Sequence, residues 1–227
     1  MDRFRPIYRT VSWTAATLLA SDPPWELQAE ALAEVYRFRV EASSSGDCPG
    51  LVEVKRVRAL AQRALIRRWE EDLGSPSAGL ATVEAIRPHL SRWVKQRRGT
   101  LSFRLMQVLT GHGCFGRYLH RIARREMTPS CHECGAPSDT ARHTLIKCSA
   151  WGPQRHSLAA IVGRDLSLPS VINAMIDSER CWKEMVLFCE NVMTQKEAAE
   201  RERENSTADP LRRRRRRLRY GQLLLPP

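Results

Sequence analysis

The stretch Cys131-His-Glu-Cys134-Gly-Ala-Pro-Ser-Asp-Thr-Ala-Arg-His143-Thr-Leu-Ile-Lys-Cys148 carries a C-x2-C-x8-H-x4-C array. Zinc takes thiolate sulfur and imidazole nitrogen in a tetrahedral set, and three Cys with one His close that set, leaving no position for a reactive water. The spacing therefore predicts a structural Zn2+ site with Cys131, Cys134, His143 and Cys148 as ligands. The first two grip the metal from one tight turn, and Gly135 just after them supplies the positive-φ freedom such knuckles use. Asp139 or Thr140 caps a short segment over 140–148 that presents His143 early and Cys148 at its end. His132 and Cys114 are the nearest substitutes, but a His between the two cysteines would strain the turn, and both are read as non-ligands. The competing reading is a scatter of core residues, since free Cys is commonly buried and His is often a satisfied core group. The spacing favours the metal.

Downstream of the array, Pro153 and Pro169 bracket a short helix, and residues 170–204 are expected to form one long helix with Ile172, Met175, Ile176, Trp182, Val186 and Cys189 inward. Past Thr194 both charges mix with no apolar stripe, so 196–204 is expected to be a solvated extension. Beyond Asn205 the Ser, Pro and Arg composition implies disorder until a partner is met. Upstream, residues 102–109 and 115–125 read as two short helical runs around Gly111-His112-Gly113. A helix begins near Pro88, with Leu90, Trp93 and Val94 on its buried side, and Gly99 breaks it. Residues 52–73 repeat an apolar stripe at Val57, Ala61, Leu65 and Trp69, and residues 25–42 do so at Leu27, Ala31, Val35, Phe38 and Ala42. Residues 43–50 and 74–79 are loops rich in Gly, Ser and Pro. The opening helix, 11–20, stops at Asp22-Pro23-Pro24. Strands are nearly absent.

The expected fold is therefore mostly α: a helical region, then a small Cys/His zinc unit, then a long C-terminal helix with a disordered basic tail. The expected division is 1–100, 101–152, 153–204 and 205–227.

The 227 residues carry a formal net charge of +12, unevenly placed. Residues 92–125 hold nine Lys or Arg and no acid, and residues 211–227 hold seven Arg and no acid, so the rest of the chain is net acidic. Two basic blocks point to a polyanion, RNA and/or DNA. In the first block arginines fix phosphates while an exposed aromatic can stack on an unpaired base. The candidate nucleic-acid-binding residues are Arg97, Arg98, Arg104, Arg117, Tyr118, His120, Arg121, Arg124 and Arg125. Trp93 and Phe103 are expected on buried helix stripes instead. The run Arg212 to Arg217 suits nucleic-acid contact or nuclear import.

Of seven cysteines, three belong to the array, and Cys48, Cys114, Cys181 and Cys189 show no paired framework, which fits a reducing compartment, nuclear or cytoplasmic. No apolar run reaches the roughly 18 residues of a membrane span. The opening Arg3, Arg5 and Arg9 before 11–20 only superficially resembles a signal peptide, because Ser12, Thr14 and Thr17 interrupt the apolar stretch. There is no Gly-rich phosphate loop, nucleophile elbow or paired-aspartate signature for nucleotidyl transfer. Glu70, Glu71 and Asp72, at a helix end, read as a solvated face.

The run Leu109-Thr-Gly-His-Gly-Cys-Phe-Gly-Arg-Tyr-Leu119, with Cys131-His-Glu-Cys-Gly135, Asp139-Thr-Ala-Arg-His143-Thr-Leu145 and Cys148-Ser-Ala-Trp151, resembles the C-terminal region of non-LTR retrotransposon Pol proteins, of the insect type that inserts into ribosomal RNA genes. Residues 10–24, TVSWTAATLLASDPP, resemble the helical segment after the reverse transcriptase core of that family. The resemblance spans roughly residues 1–190 and is most specific over 110–151. It implies a parent polyprotein joining an endonuclease to a reverse transcriptase, of which this chain is a piece beginning after the polymerase aspartates. It implies Cys131, Cys134, His143 and Cys148 as ligands, with Thr110, Gly111, His112 and Gly113 as a neighbouring element. The expected function is a nucleic-acid-binding zinc module positioning template RNA or target DNA, with the polymerase part of the parent as a possible partner. The alternative is a protein-interaction module that zinc braces and that docks a partner through the long helix.

Overall fold

The computed structural model describes residues 11–46, 49–96 and 99–205, all helix, turn or loop, with no strand among them. The sequence expectations for the Arg tail, the first ten residues, Cys48, Arg97 and Arg98 lie outside these residues. The described residues divide into two compact units, one within 11–96 and one over 99–205.

In the first unit α1 (Trp13–Ala20) starts where the Ser12 hydroxyl accepts from the Ala15 N–H, and it ends at Ser21 with φ 56°. Pro23 and Pro24 then force a new start, and α2 (Trp25–Ser44) pairs with α3 (Leu51–Asp72). The shared stripe is the expected one with Val54 added: Val35, Val54 and Ala61 are buried, with Ala31, Phe38 and Val57 packed on them. Further along α3, Leu65, Ile66 and Trp69 are buried. The sequence pattern places a helix start near Pro88 and assigns no element to residues 80–87. The structure instead forms α4 (Leu80–Ile86), a 3-10 turn over Arg87–His89 and α5 (Leu90–Lys95). Trp93 is buried as expected, and its indole N–H donates to the Leu18 carbonyl at 2.8 Å, tying α5 to α1.

The second unit is organised by its last helix. Ser102 caps α6 (Phe103–Thr110), and Gly111, at φ 70°, ends it. Phe103, expected inward, is half-exposed instead, because the buried face of α6 is Leu105, Val108 and Leu109. α7 (Gly116–Arg121) follows, shorter than the expected run to residue 125. Beyond the Cys/His segment come α8 (Gly152–Val162), α9 (Leu168–Asp177) and α10 (Glu179–Asn205). The single helix expected over 170–204 is thus two. Ser178 is extended (φ −140°, ψ 127°), and its hydroxyl accepts from the Cys181 N–H at 3.4 Å, so it caps α10 after ending α9. α10 packs against α6, α8 and α9, burying Trp182, Met185, Phe188, Cys189, Val192 and Met193. Gly99 has a packing reason beyond breaking a helix: a Cβ there would sit 2.2 Å from the Trp182 indole nitrogen.

The expected solvated extension is the clearest departure. Lys196 and Glu200 continue the inward face of α10 at helical spacing from Cys189, Val192 and Met193, and both are buried. Charged side chains can occupy such a face only when paired there, and the partners come from the Cys/His segment and the loop before it. No helix among the described residues is long and apolar enough to cross a membrane.

Candidate metal centre and adjoining basic face

Local geometry follows from the knuckle sequence. Cys131 donates its N–H to the Ala136 carbonyl and accepts the Gly135 N–H on its own carbonyl, both at 2.8 Å, and Gly135 takes φ 75° to close the turn. Thr140 caps the second ligand segment, its hydroxyl accepting from the His143 N–H at 2.9 Å. The turn over His143–Lys147 is a π-helix, and the Cys148 N–H reaches back to the His143 carbonyl at 2.8 Å. One wide turn thereby brings the imidazole and the last thiol to the same side.

The Cys131, Cys134, His143 and Cys148 ligand atoms all lie within 4.8 Å of one another. The Cys131 and Cys148 sulfurs are 3.8 Å apart, and the Cys134 sulfur is 3.3 Å from His143 Nε2. Bonds of about 2.3 Å to sulfur and 2.0–2.1 Å to nitrogen give tetrahedral edges of roughly 3.8 Å and 3.6 Å. The donor set and its spacing fit a four-coordinate metal ion. Burial holds the His143 imidazole below its ordinary pKa, which favours the neutral, ligating form. Burial pushes the Cys131 and Cys148 thiols up, so metal uptake there must release protons. His132 and Cys114 stand apart from the cluster: His132 Nε2 is 3.4 Å from Glu126, and the Cys114 thiol donates to Glu200 at 2.8 Å.

Around the cluster lies a shell that the sequence reading did not anticipate. Lys196, with its side chain 1% exposed, places Nζ 2.9 Å from both Glu133 and Asp139. Glu133 sits inside the first ligand pair. Asp139 also accepts from the Gly116 N–H at 3.0 Å and the Thr144 hydroxyl at 3.2 Å. Its backbone carbonyl accepts the Arg117 N–H at 2.9 Å. Burial works to lower the Lys196 pKa, but the Asp139 and Glu133 charges outweigh it and hold the ammonium above its usual value. The Lys196 Nζ also lies 5.8 Å from the centre of the Phe115 ring, within cation–π range. From α8, Arg155 donates to the Cys148 carbonyl and, at 3.5 Å, to that of Thr144. The signal for Lys196 was its phase on α10, which composition hides. Gly116 carries no sequence signal of its own: a Cβ there would meet the Ser130 carbonyl oxygen at 2.3 Å.

The candidate nucleic-acid residues divide sharply. Arg104 is turned inward to α10, donating to Glu190 at 2.6 Å and Glu197 at 2.8 Å. Arg125 pairs with Glu200 and Glu204, each at 3.2 Å. Tyr118 lies tilted against the His112 ring, centroids 4.9 Å apart, and His120 Nδ1 is 3.1 Å from the Glu126 carbonyl. Arg117, Arg121 and Arg124 are exposed, and no described acid pairs with them. Of the described candidates, two arginines are thus committed to ion pairs with α10 and three are exposed.

The chain is similar to proteins of insect R1 elements. It is 24% identical over 198 residues, 85% of the chain, to a putative 115 kDa protein in the type-1 retrotransposable element R1DM of Drosophila melanogaster. It is 26% identical over 182 residues, 75% of the chain, to a retrovirus-related Pol polyprotein from the type-1 retrotransposable element R1 4 of Nasonia vitripennis. A further relative, the Pol polyprotein of an R1 element of Bradysia coprophila, is 28% identical over 149 residues, 63% of the chain and 14% of the relative. The matched stretches are 19% of the Drosophila protein and 44% of the Nasonia one, so the chain spans only part of these relatives. No family model and no solved structure matches.

Proposed function

We propose that this chain is the nucleic-acid-binding zinc module of a retrotransposon Pol polyprotein, holding template RNA or target DNA for a polymerase elsewhere in the parent. The observation that carries the reading is the exposure of Arg117, Arg121 and Arg124 on and after a helix, α7, whose first turn is hydrogen-bonded to Asp139 of the Cys3His segment. Zn2+ on Cys131, Cys134, His143 and Cys148 would have all its positions filled by protein, so it would lend rigidity and no Lewis-acid chemistry to a substrate. Lys196 and Asp139 then fix the knuckle and the first turn of α7 to the same helix, and the arginines are presented as a set. The relatives' Pol names support the retroelement setting, in which RNA and DNA are the available polyanions, the polymerase part is a neighbour and the nucleus is a place of work.

The alternative, docking of a protein through the long helix, is less favoured because the apolar face of α10 is already covered by α6, α8 and α9. The test is Cys131→Ser. Zinc content and nucleic-acid affinity are expected to fall together, since metal binding in such small sites contributes on the order of 10 kcal/mol to folding. Unchanged zinc content and affinity would refute the reading.

A further inference from the structure

The turn that leads from α7 to the knuckle is built more firmly than a connector requires. The Ile122 and Ala123 N–H groups both donate to the Tyr118 carbonyl at 3.0 Å, and the Arg125 N–H reaches the Leu119 carbonyl at 2.7 Å. His120 meets the Glu126 carbonyl, Arg125 is held by Glu200 and Glu204, and Glu126 is held by Arg203 at 3.3 Å. Between and beside these anchors Arg121 and Arg124 are exposed, Ile122 is 53% exposed and Met127 is 64% exposed. The acids close to the turn, Glu126, Glu200 and Glu204, are each paired, so the outward charge of the turn is positive.

Arg124 has φ 52°, a region where glycine sits without strain and a side chain does not. Glycine would close the turn more cheaply. Strain kept at an exposed, charged position points to use of the side chain. The two apolar neighbours are each more than half exposed, and they gain nothing from a bare phosphate.

We infer that the turn from Arg121 to Met127 grips a single-stranded nucleic acid, with Arg121 and Arg124 on phosphates and Ile122 and Met127 against the face of an unpaired base. Base faces are covered by stacking in a duplex and open in an unpaired strand, so apolar side chains flanked by arginines select the latter. The inference rests on the nucleic-acid reading above and narrows it to a strand class.

The test uses the full chain loaded with zinc, titrated with a labelled unpaired RNA oligonucleotide and with a duplex of the same sequence at several salt concentrations. The wild type is expected to prefer the unpaired strand. Ile122→Ala with Met127→Ala should weaken that binding by roughly tenfold, the scale of one lost base contact, and leave the salt slope and the duplex affinity unchanged. Arg121→Gln with Arg124→Gly should lower the slope by about 1.4 while folding stability holds or rises. Tighter binding to the duplex, or a double-alanine variant within about twofold of wild type on the unpaired strand, overturns the inference and leaves the broader reading standing. Failure of the wild type to bind either oligonucleotide overturns both.

Discussion

Replacing Lys196 by Met separates a buried clasp from a solvated helix end. Methionine keeps most of the stem's volume, so the lost packing is small, and the change isolates the ammonium. The wild-type Lys196 and Asp139 side chains are 1% and 3% exposed, with Glu133 at 16% on the other side of the same Nζ. Without the cation two carboxylates are stranded, one deep in the fold and both within a few residues of the Cys/His cluster. Removing one partner from a buried ion pair costs about 3–5 kcal/mol, against about 0–1 kcal/mol for an exposed pair. Asp139 keeps its bonds from Gly116 and Thr144, which places the expected loss toward the lower end. Urea unfolding of the zinc-loaded protein, followed by helix signal and by metal release to a chelating dye, should show a midpoint lowered by roughly 1–3 M for an ordinary m value. Adding Glu133→Gln removes one stranded charge and should recover part of the loss, a coupling of about 0.5–3 kcal/mol. A loss under about 1 kcal/mol with unchanged metal release would refute the clasp and return this end of α10 to solvent.

Two further outcomes follow from the same contacts. Gly116→Ala should destabilise the knuckle and loosen its metal, because the new methyl would collide with the Ser130 carbonyl oxygen; retention of wild-type zinc affinity would count against the close packing of α7 on the knuckle. Burial tends to raise the Glu190 carboxyl, but the hydrogen bonds from Arg104 and Ser102 outweigh it and hold the group below its usual range. A depressed carboxylate stabilises the fold above its unfolded pKa, about 4.3, and loses that contribution as pH falls through the lower folded value. The stability gap between wild type and Glu190→Gln should therefore be flat from neutral pH down to about 5 and shrink only in stronger acid. A gap that grows as pH falls would contradict the pairing.

Much of this architecture can be read in the residues themselves, and most of the failures share one cause. The α2–α3 pair was legible because its stripe is apolar at every inward position, and the Cys/His cluster was legible because few arrangements other than a metal site use three thiols and an imidazole at that spacing. Lys196 and Glu200 were missed because polar composition was taken as solvent exposure, although both keep the helical phase of Cys189 and Val192. The same substitution of composition for geometry made Arg104 and Arg125 look free, when four glutamates of α10 neutralise them. Ser178 was passed over as a break because Asp177, Ser178 and Glu179 interrupt no apolar spacing, yet an Asp-Ser-Glu sequence is good N-cap chemistry. What periodicity cannot show is which charges find partners far along the chain.

The most direct measurement is the affinity of the full chain for single-stranded RNA across a salt series, with bound zinc and after its removal by a chelator. With zinc, contacts from Arg117, Arg121 and Arg124 should give a slope of log affinity on log salt of about −2. After chelation the slope should flatten as the arginines lose their common frame. An affinity and slope indifferent to the metal would contradict the claim that the Cys/His cluster holds the binding face in shape.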